Sequence, residues 1–298
     1  MPPIAKHWPR FALRFLPGLY VVILFLAPLL MVLRVSFYAG GGQSGYGLGS
    51  GGFYKPGTWT ITNYTTLWHD GYFHDILKFT VELGIGVSFL SVLIGYALAY
   101  FIYRMPPRLK PFGYFLVLLP KLTNILVIIY GLKLILSNAG PVNHLLMSLN
   151  WVQDPVELSN NLVGVTIGLT YLIVPYVVLV MLAAFSKLDE NLIGAARGLG
   201  ASALNAFWEV TWPQSLPALS LASLMALIWG LGAFMCPYLL GSPDQITLAV
   251  EVQRQTFENI NWPRGAATAV SMFLALGLCT VVFFGLSRLA LRQRGQLR

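Results

Sequence analysis

Residues 188–213 read Leu188-Asp189-Glu190-Asn191-Leu192-Ile193-Gly194-Ala195-Ala196-Arg197-Gly198-Leu199-Gly200-Ala201-Ser202-Ala203-Leu204-Asn205-Ala206-Phe207-Trp208-Glu209-Val210-Thr211-Trp212-Pro213, two short helical stretches with a break between them. Asp189 or Glu190 stands where an acid suits the positive end of a helix dipole. Leu192, Ala195, Ala196 and Leu199 fall on one apolar stripe, with Arg197 off it. Gly200 can take the left-handed conformation that ends a helix. Ser202 can then cap a second helix, 203–210, expected to stop before Pro213. The product is an elbow of small residues. Long apolar runs flank it on both sides, and a protein that faces lipid has no need of such an elbow unless a partner receives it.

Working outward, the 298-residue chain is 56% hydrophobic and only 10% charged, with a mean hydropathy of +0.69. A soluble domain carries about a quarter of its residues as charges. Six segments, roughly 15–37, 77–103, 112–136, 162–186, 216–240 and 266–290, are apolar over the length of about 20 residues that a bilayer-spanning helix needs. The expectation is an all-α, polytopic membrane protein of six transmembrane helices. The first segment is too long for a cleavable signal and lacks a small-residue cleavage site close behind it, so it reads as a retained helix.

Lys and Arg set the orientation. Six spans place both termini on one side, together with the loops 104–111 and 187–215, and that side carries Arg14, Arg104, Arg108, Lys110, Lys187, Arg197, Arg288 and Arg292. The other side has Lys55, Arg254 and Arg264, with Arg34 and Lys78 at helix edges. An excess of positive residues marks the cytoplasmic side. Residues 1–14 are then a cytoplasmic tail, 15–298 the transmembrane domain, and 187–215 a cytoplasmic loop. The net charge of +8 thus sets topology rather than forming a nucleic-acid footprint.

The first outer loop, 38–76, is rich in glycine from Gly40 to Gly52 and reads as a flexible spacer. A more ordered approach follows at Trp59-Thr60-Ile61-Thr62-Asn63-Tyr64, and Trp59, Tyr64 and Trp68 suit the outer interface. Pro120, Lys121, Thr123 and Asn124 in the third segment and Pro175 in the fourth signal irregular backbone facing protein or a water-filled cavity, or else ordinary kinks. Cys236 and Cys279 lie in apolar runs, and His7, His69, His74 and His144 are scattered. Neither pattern is a metal or disulfide framework. With no GxxxxGK[ST], HExxH or GxSxG, no catalytic residue, metal or cofactor site is assigned to this chain.

The elbow resembles the EAA loop of ABC importer permeases, a short coupling helix that docks in a groove of an ATP-hydrolysing subunit. Ala195, Ala196, Gly200, Ala201, Ser202, Phe207, Val210 and Pro213, after Leu188-Asp189, carry the likeness. The motif's acidic first letter is Gly194 here. The resemblance implies the type I ABC importer permease fold and assigns ATPase coupling to Gly194, Ala195, Ala196, Arg197, Leu199, Gly200, Ala201, Ser202 and Pro213. The chain is also similar to the first permease of spermidine/putrescine importers. This likeness rests on Pro120, Thr123-Asn124, Tyr130-Gly131-Leu132-Lys133, Gly140, Asn143, Gly168-Leu169-Thr170-Tyr171, Pro175, Gly232-Ala233-Phe234, Leu240-Gly241 and Trp262-Pro263-Arg264-Gly265-Ala266-Ala267. Two departures are Ile128, where that type tends to have arginine, and Ser242 in place of a second glycine.

What the resemblance implies is a non-enzymatic subunit in the inner membrane, assembled with a second homologous permease, two ABC ATPase subunits that bind ATP and Mg, and a periplasmic solute-binding protein. The imported solute would be a polyamine, or alternatively an opine, an aminophosphonate or another small amino compound. A cationic solute wants carboxylates and aromatic faces along its route. Candidates are Glu82, Thr123, Asn124, Tyr130, Tyr171, Trp229, Phe234 and Tyr238, each of which also has an ordinary packing explanation. Glu82 can pair with Lys78 one turn earlier. Lys121 can reach the inner headgroups and Lys133 the outer interface, and two lysines beside the path keep an anionic or zwitterionic solute open. An ion-driven secondary transporter is the contrasting class, yet neither inverted repeats nor discontinuous helices with paired ionisable groups are evident.

Overall fold

The computed structural model describes residues 10–40 and 54–293. The tail before Arg10 and the glycines from Gly41 to Gly52 lie outside the described residues. In chain order the elements are helix α1 (Arg10–Ser36), strands β1 (Tyr38–Gly40) and β2 (Tyr54–Trp59), and helices α2 (Thr62–His69), α3 (Gly71–Arg104), α4 (Lys110–Leu122), α5 (Ile125–Ile135) and α6 (Pro141–Ser148). Then follow α7 (Leu162–Phe185), α8 (Glu190–Gly198), α9 (Ala203–Ala206), a π-helical turn Phe207–Thr211, α10 (Trp212–Leu231), α11 (Met235–Leu240), α12 (Leu248–Gln253), a second π turn Arg254–Glu258 and α13 (Trp262–Gln293).

Among the described residues, five helices are long and apolar enough to cross a membrane, over Pro17–Ser36, Gly71–Arg104, Leu162–Phe185, Ala203–Leu231 and Trp262–Leu289. The expected third helix, 112–136, is not continuous. It breaks into α4 and α5, which meet at 100°. Extended backbone at Thr123 and Asn124 ends α4, and the Asn124 side chain accepts from the Leu126 amide at 2.8 Å, capping α5. The polar pair Thr123-Asn124 is therefore the hinge. The expected fifth helix, 216–240, is also interrupted, because α10 stops at Leu231 and α11 restarts at Met235. The Ala233 carbonyl left in that gap accepts from Thr247 Oγ1 at 2.9 Å.

The chain divides into two compact units, Met1–Phe73 with Glu251–Met272, and His74–Val250 with Phe273–Arg298. In the first, the outer loop is more ordered at its ends than a spacer. β1 and β2 pair antiparallel, Tyr38 opposite Trp59, and Asn63 Nδ2 donates to the carbonyls of Ser36 and Tyr38, both at 2.8 Å. Ser36 and Tyr64 share a hydroxyl hydrogen bond of 2.6 Å. Two short strands thus join an otherwise helical fold.

The second unit is built around α7, which packs against α4, α5, α10 and α11. Leu169, Ile173, Val177, Val178, Met181, Leu182 and Phe185 of α7 are buried in one apolar cluster with Leu83, Val87, Ala99 and Ile129. Burial of a helix on nearly all sides accounts for its lack of a polar face. Helix α3 approaches α10 closely because glycines meet there. A Cβ built on Gly230 would lie 2.9 Å from the Gly84 carbonyl oxygen and 3.1 Å from its Cα, a contact small residues permit in membrane bundles.

Candidate functional site

At the elbow, Asp189 Oδ1 accepts from the Asn191 amide at 2.9 Å and so caps α8. The far end closes through Gly200, whose φ is +92°. The Gly200 amide donates to the Arg197 carbonyl and the Ala201 amide to the Ala196 carbonyl, both at 3.0 Å. This paired return is the Schellman arrangement, and it satisfies carbonyls that the helix end would otherwise orphan. Ser202 Oγ then accepts from the Asn205 amide at 3.2 Å, capping α9.

The second helix does not stop before Pro213. It continues through the π turn into α10, with the Trp212 amide bonded to the Phe207 carbonyl five residues back. Pro213 sits in the first turn of α10, directly after the π turn, whose widened hydrogen bonding accommodates a residue without an N–H. One widened turn lets the elbow run directly into a membrane span.

Among the described residues nothing covers the outer face of α8, which has no buried residue. Leu192 is 50% and Leu199 91% exposed. Gly194, Ala195, Arg197, Gly200 and Ser202 are exposed, while Ala196, Ala201 and Pro213 are half-buried. A Cβ on Gly194, Gly198 or Gly200 would meet nothing within 4 Å. The coupling candidates other than Pro213 therefore form one contiguous ledge.

Beneath the ledge lies an aromatic footing that sequence reasoning missed. Tyr96, Tyr100 and Tyr103 of α3 surround Phe185 at centroid distances of 5.5–5.9 Å. Phe207 packs on Tyr100 at 5.0 Å and Trp212 on Tyr96 at 5.3 Å. Tyr103 donates to Glu190 Oε1 at 3.2 Å, tying the start of α8 to the end of α3, and Tyr96 shares a hydrogen bond with Ser215 at 3.1 Å. The 4 + 3 spacing of the three tyrosines puts them on one helix face, and that spacing was the available signal.

The path candidates do not converge on one point. Trp229 stacks on Tyr176 at 5.0 Å and 24°, and Phe234 stacks on Tyr238 at 5.4 Å and 20°. Tyr130 and Tyr171 are exposed. Glu82 is exposed and pairs with Lys78 at 3.9 Å. Asn124 serves as the α5 cap, and Thr123 donates to the Leu119 carbonyl at 3.3 Å. Lys121 does not reach for headgroups. Its Nζ donates to the Leu172 carbonyl at 2.8 Å and lies 3.2 Å from the Tyr176 ring centroid. Lys133 Nζ donates to the Leu239 carbonyl at 3.0 Å, serving the C-terminal end of α11, where a cation suits the helix dipole.

Residues 91–294 match the family described as "Binding-protein-dependent transport system inner membrane component". The chain is 31% identical over 272 residues to the spermidine/putrescine transport system permease protein PotB of Escherichia coli (strain K12), covering 91% of this chain and 95% of that one. It is 30% identical to the protein of the same name from Haemophilus influenzae (strain ATCC 51907 / DSM 11121 / KW20 / Rd), covering 92% of each. A chain of a bacterial ABC transporter involved in the import of the acidic polysaccharide alginate superposes with a TM-score of 0.75 over 96% of both chains at 17% identity. A chain of the alginate transporter in complex with its pentasaccharide-bound periplasmic protein gives 0.73. The fold is that of ABC importer permeases, and the chain belongs to the inner membrane components of binding-protein-dependent transport systems, a family of transport subunits rather than enzymes.

Proposed function

We propose that this chain is the permease through which an ATP-driven importer passes a polyamine of the spermidine or putrescine class into the cytoplasm. The observation that carries the solute class is identity of 30–31% over more than nine-tenths of the chain to spermidine/putrescine permeases. The lysines argue less strongly for an anion than they do in the bare sequence, because Lys121 and Lys133 each direct a proton at a backbone carbonyl.

The machine needs a second, homologous permease, two ATPase subunits and a periplasmic binding protein. The binding protein delivers solute to the outer side. ATP-driven closure of the ATPases pushes on the ledge formed by Gly194, Ala195, Ala196, Arg197, Leu199, Gly200, Ala201 and Ser202. Because α9, the π turn and α10 are one helical run, the push passes directly into a membrane span. Rigid-body rocking then exchanges outward and inward openings. Both chain termini face the cytoplasm in this scheme.

The test is the assembled complex in proteoliposomes, with ATP supplied on the side of the elbow. Labelled spermidine is expected to accumulate only with ATP and binding protein present, and unlabelled putrescine to compete. Uptake blocked by an opine or an aminophosphonate, and indifferent to putrescine, would overturn the polyamine assignment.

A further inference from the structure

Lys121 is an ammonium on a flexible four-carbon stem, the same chemistry as one end of a polyamine. Its Nζ stands 3.2 Å from the centroid of Tyr176, 6.0 Å from that of Trp229 and 2.8 Å from the Leu172 carbonyl oxygen. Tyr176 and Trp229 are themselves stacked, so the ring that carries the ammonium is held in place by its neighbour. A carbonyl oxygen beside an aromatic face is a receptor for an alkylammonium group.

The position suits a way station. Lys121 is eleven residues along α4, roughly 17 Å from its first residue at 1.5 Å per residue, which is about the middle of a hydrocarbon core some 30 Å thick. It is also one residue from the end of α4, at the broken span, and discontinuous helices at the bilayer midplane are where transporters hold their solutes. Lys133 offers the contrast: it caps a helix end and has no ring beneath it among the contacts of the described residues.

We infer that Tyr176, Trp229 and the Leu172 carbonyl form an alkylammonium station on the transport path, and that the Lys121 ammonium is its resident occupant, which the solute must displace and which returns to expel it. The inference rests on the polyamine assignment above. A tethered competitor keeps the station weak, so that a solute handed over by the binding protein can enter and then leave. When the solute's ammonium takes the ring face, the Lys121 stem swings aside at the α4–α5 hinge, and repulsion between the two cations favours the solute's departure. An anionic solute would require the Lys121 ammonium to face open space instead of a ring and a carbonyl.

The experiment uses the complete complex in proteoliposomes, saturated with spermidine-loaded binding protein, and reads uptake per ATP hydrolysed. Lys121→Met empties the station without touching the rings, and with nothing to expel the solute the complex is expected to retain roughly threefold more labelled spermidine while its uptake per ATP falls. Lys121→Arg keeps a cation over the ring and is expected to restore most of the release lost in Lys121→Met. Trp229→Leu is expected to lower uptake per ATP roughly tenfold, the worth of a desolvated cation–π contact, with Trp229→Phe restoring most of it. Lys121→Met that loses uptake without retaining more spermidine would reduce the lysine to a structural pin and overturn the inference, as would a Trp229→Leu complex of normal efficiency. If the unaltered complex imports no polyamine at all, the functional assignment itself fails, and the station fails with it.

Discussion

Gly200 and Gly230 are both glycines for backbone reasons, yet their replacements should fail in different assays. At Gly200 the constraint is conformational, since φ is +92° and no atom lies within 4 Å of an added Cβ. Gly200→Ala forces a side chain into the left-handed region at a cost of roughly 1–2 kcal/mol. Gly200→Pro also deletes the amide that bonds the Arg197 carbonyl and cannot adopt a positive φ. The expected result is a chain present in the membrane at the usual level whose complex hydrolyses ATP with little solute import, the proline variant being the worse. Normal import by Gly200→Pro would separate the elbow's shape from coupling. At Gly230 the constraint is steric, with Gly84 backbone atoms 2.9–3.1 Å from the added Cβ. Backbone cannot yield as a side-chain tip does, so Gly230→Val should push α10 off α3 at a cost of about 1–3 kcal/mol. A lower melting temperature of the detergent-purified complex checks this, and an unchanged one would refute it.

At the scale of elements, α8 is a helix whose outside no described residue covers. Its inner end is fixed by Tyr103 on Glu190 and by the footing of Tyr96, Tyr100, Phe185, Phe207 and Trp212, so force on the ledge is not absorbed by sliding. Ala195→Trp is therefore expected to fold normally, because Ala195 is exposed, and to abolish association with the ATPase subunits. Co-purification of those subunits with the variant would show that the ledge is not their seat. The caps of this element were readable from sequence because each works over two to five residues: Asp189 to Asn191, Ala196 to Ala201, Ser202 to Asn205. The expected stop before Pro213 fails for the complementary reason, since apolar packing of Phe207 and Trp212 against α3 holds the run helical and a π turn absorbs the proline. The break at Thr123-Asn124 was legible as irregular backbone but not as a 100° turn, because its angle depends on what α7 and α11 present to α4 and α5. Lys121 could not be placed from sequence at all, as its partner Leu172 is 51 residues away. The strand pair was hidden likewise, β1 and β2 being separated by the glycine-rich stretch.

For the molecule as a whole, the direction of transport hangs on how many times the chain crosses the bilayer, and the bent pair decides the parity. Helix α4 alone, thirteen residues long, covers about 20 Å, short of a core of about 30 Å, and α5 leaves it at 100°. Geometry alone thus permits either a broken span or a re-entrant hairpin. Charge separates the two: residues 104–111 carry Arg104, Arg108 and Lys110, whereas 137–161 carry no Lys or Arg and include Asp154 and Glu157. The positive-inside tendency favours placing these two loops on opposite sides, and we propose on that ground that α4 with α5 is one complete crossing, for a total of six. In a background with Cys236→Ser and Cys279→Ser, a membrane-impermeant thiol reagent is expected to label a Trp151→Cys variant in intact spheroplasts. A Leu109→Cys variant should react only after the membrane is opened. Both native residues are exposed, at 73% and 53%, so accessibility within the fold does not confound the comparison. Labelling of both positions from the outside would make the pair re-entrant, leave five crossings and place the two termini on opposite faces. The elbow would then share a side with only one terminus, and the charge argument that gives it to the ATPases would be lost.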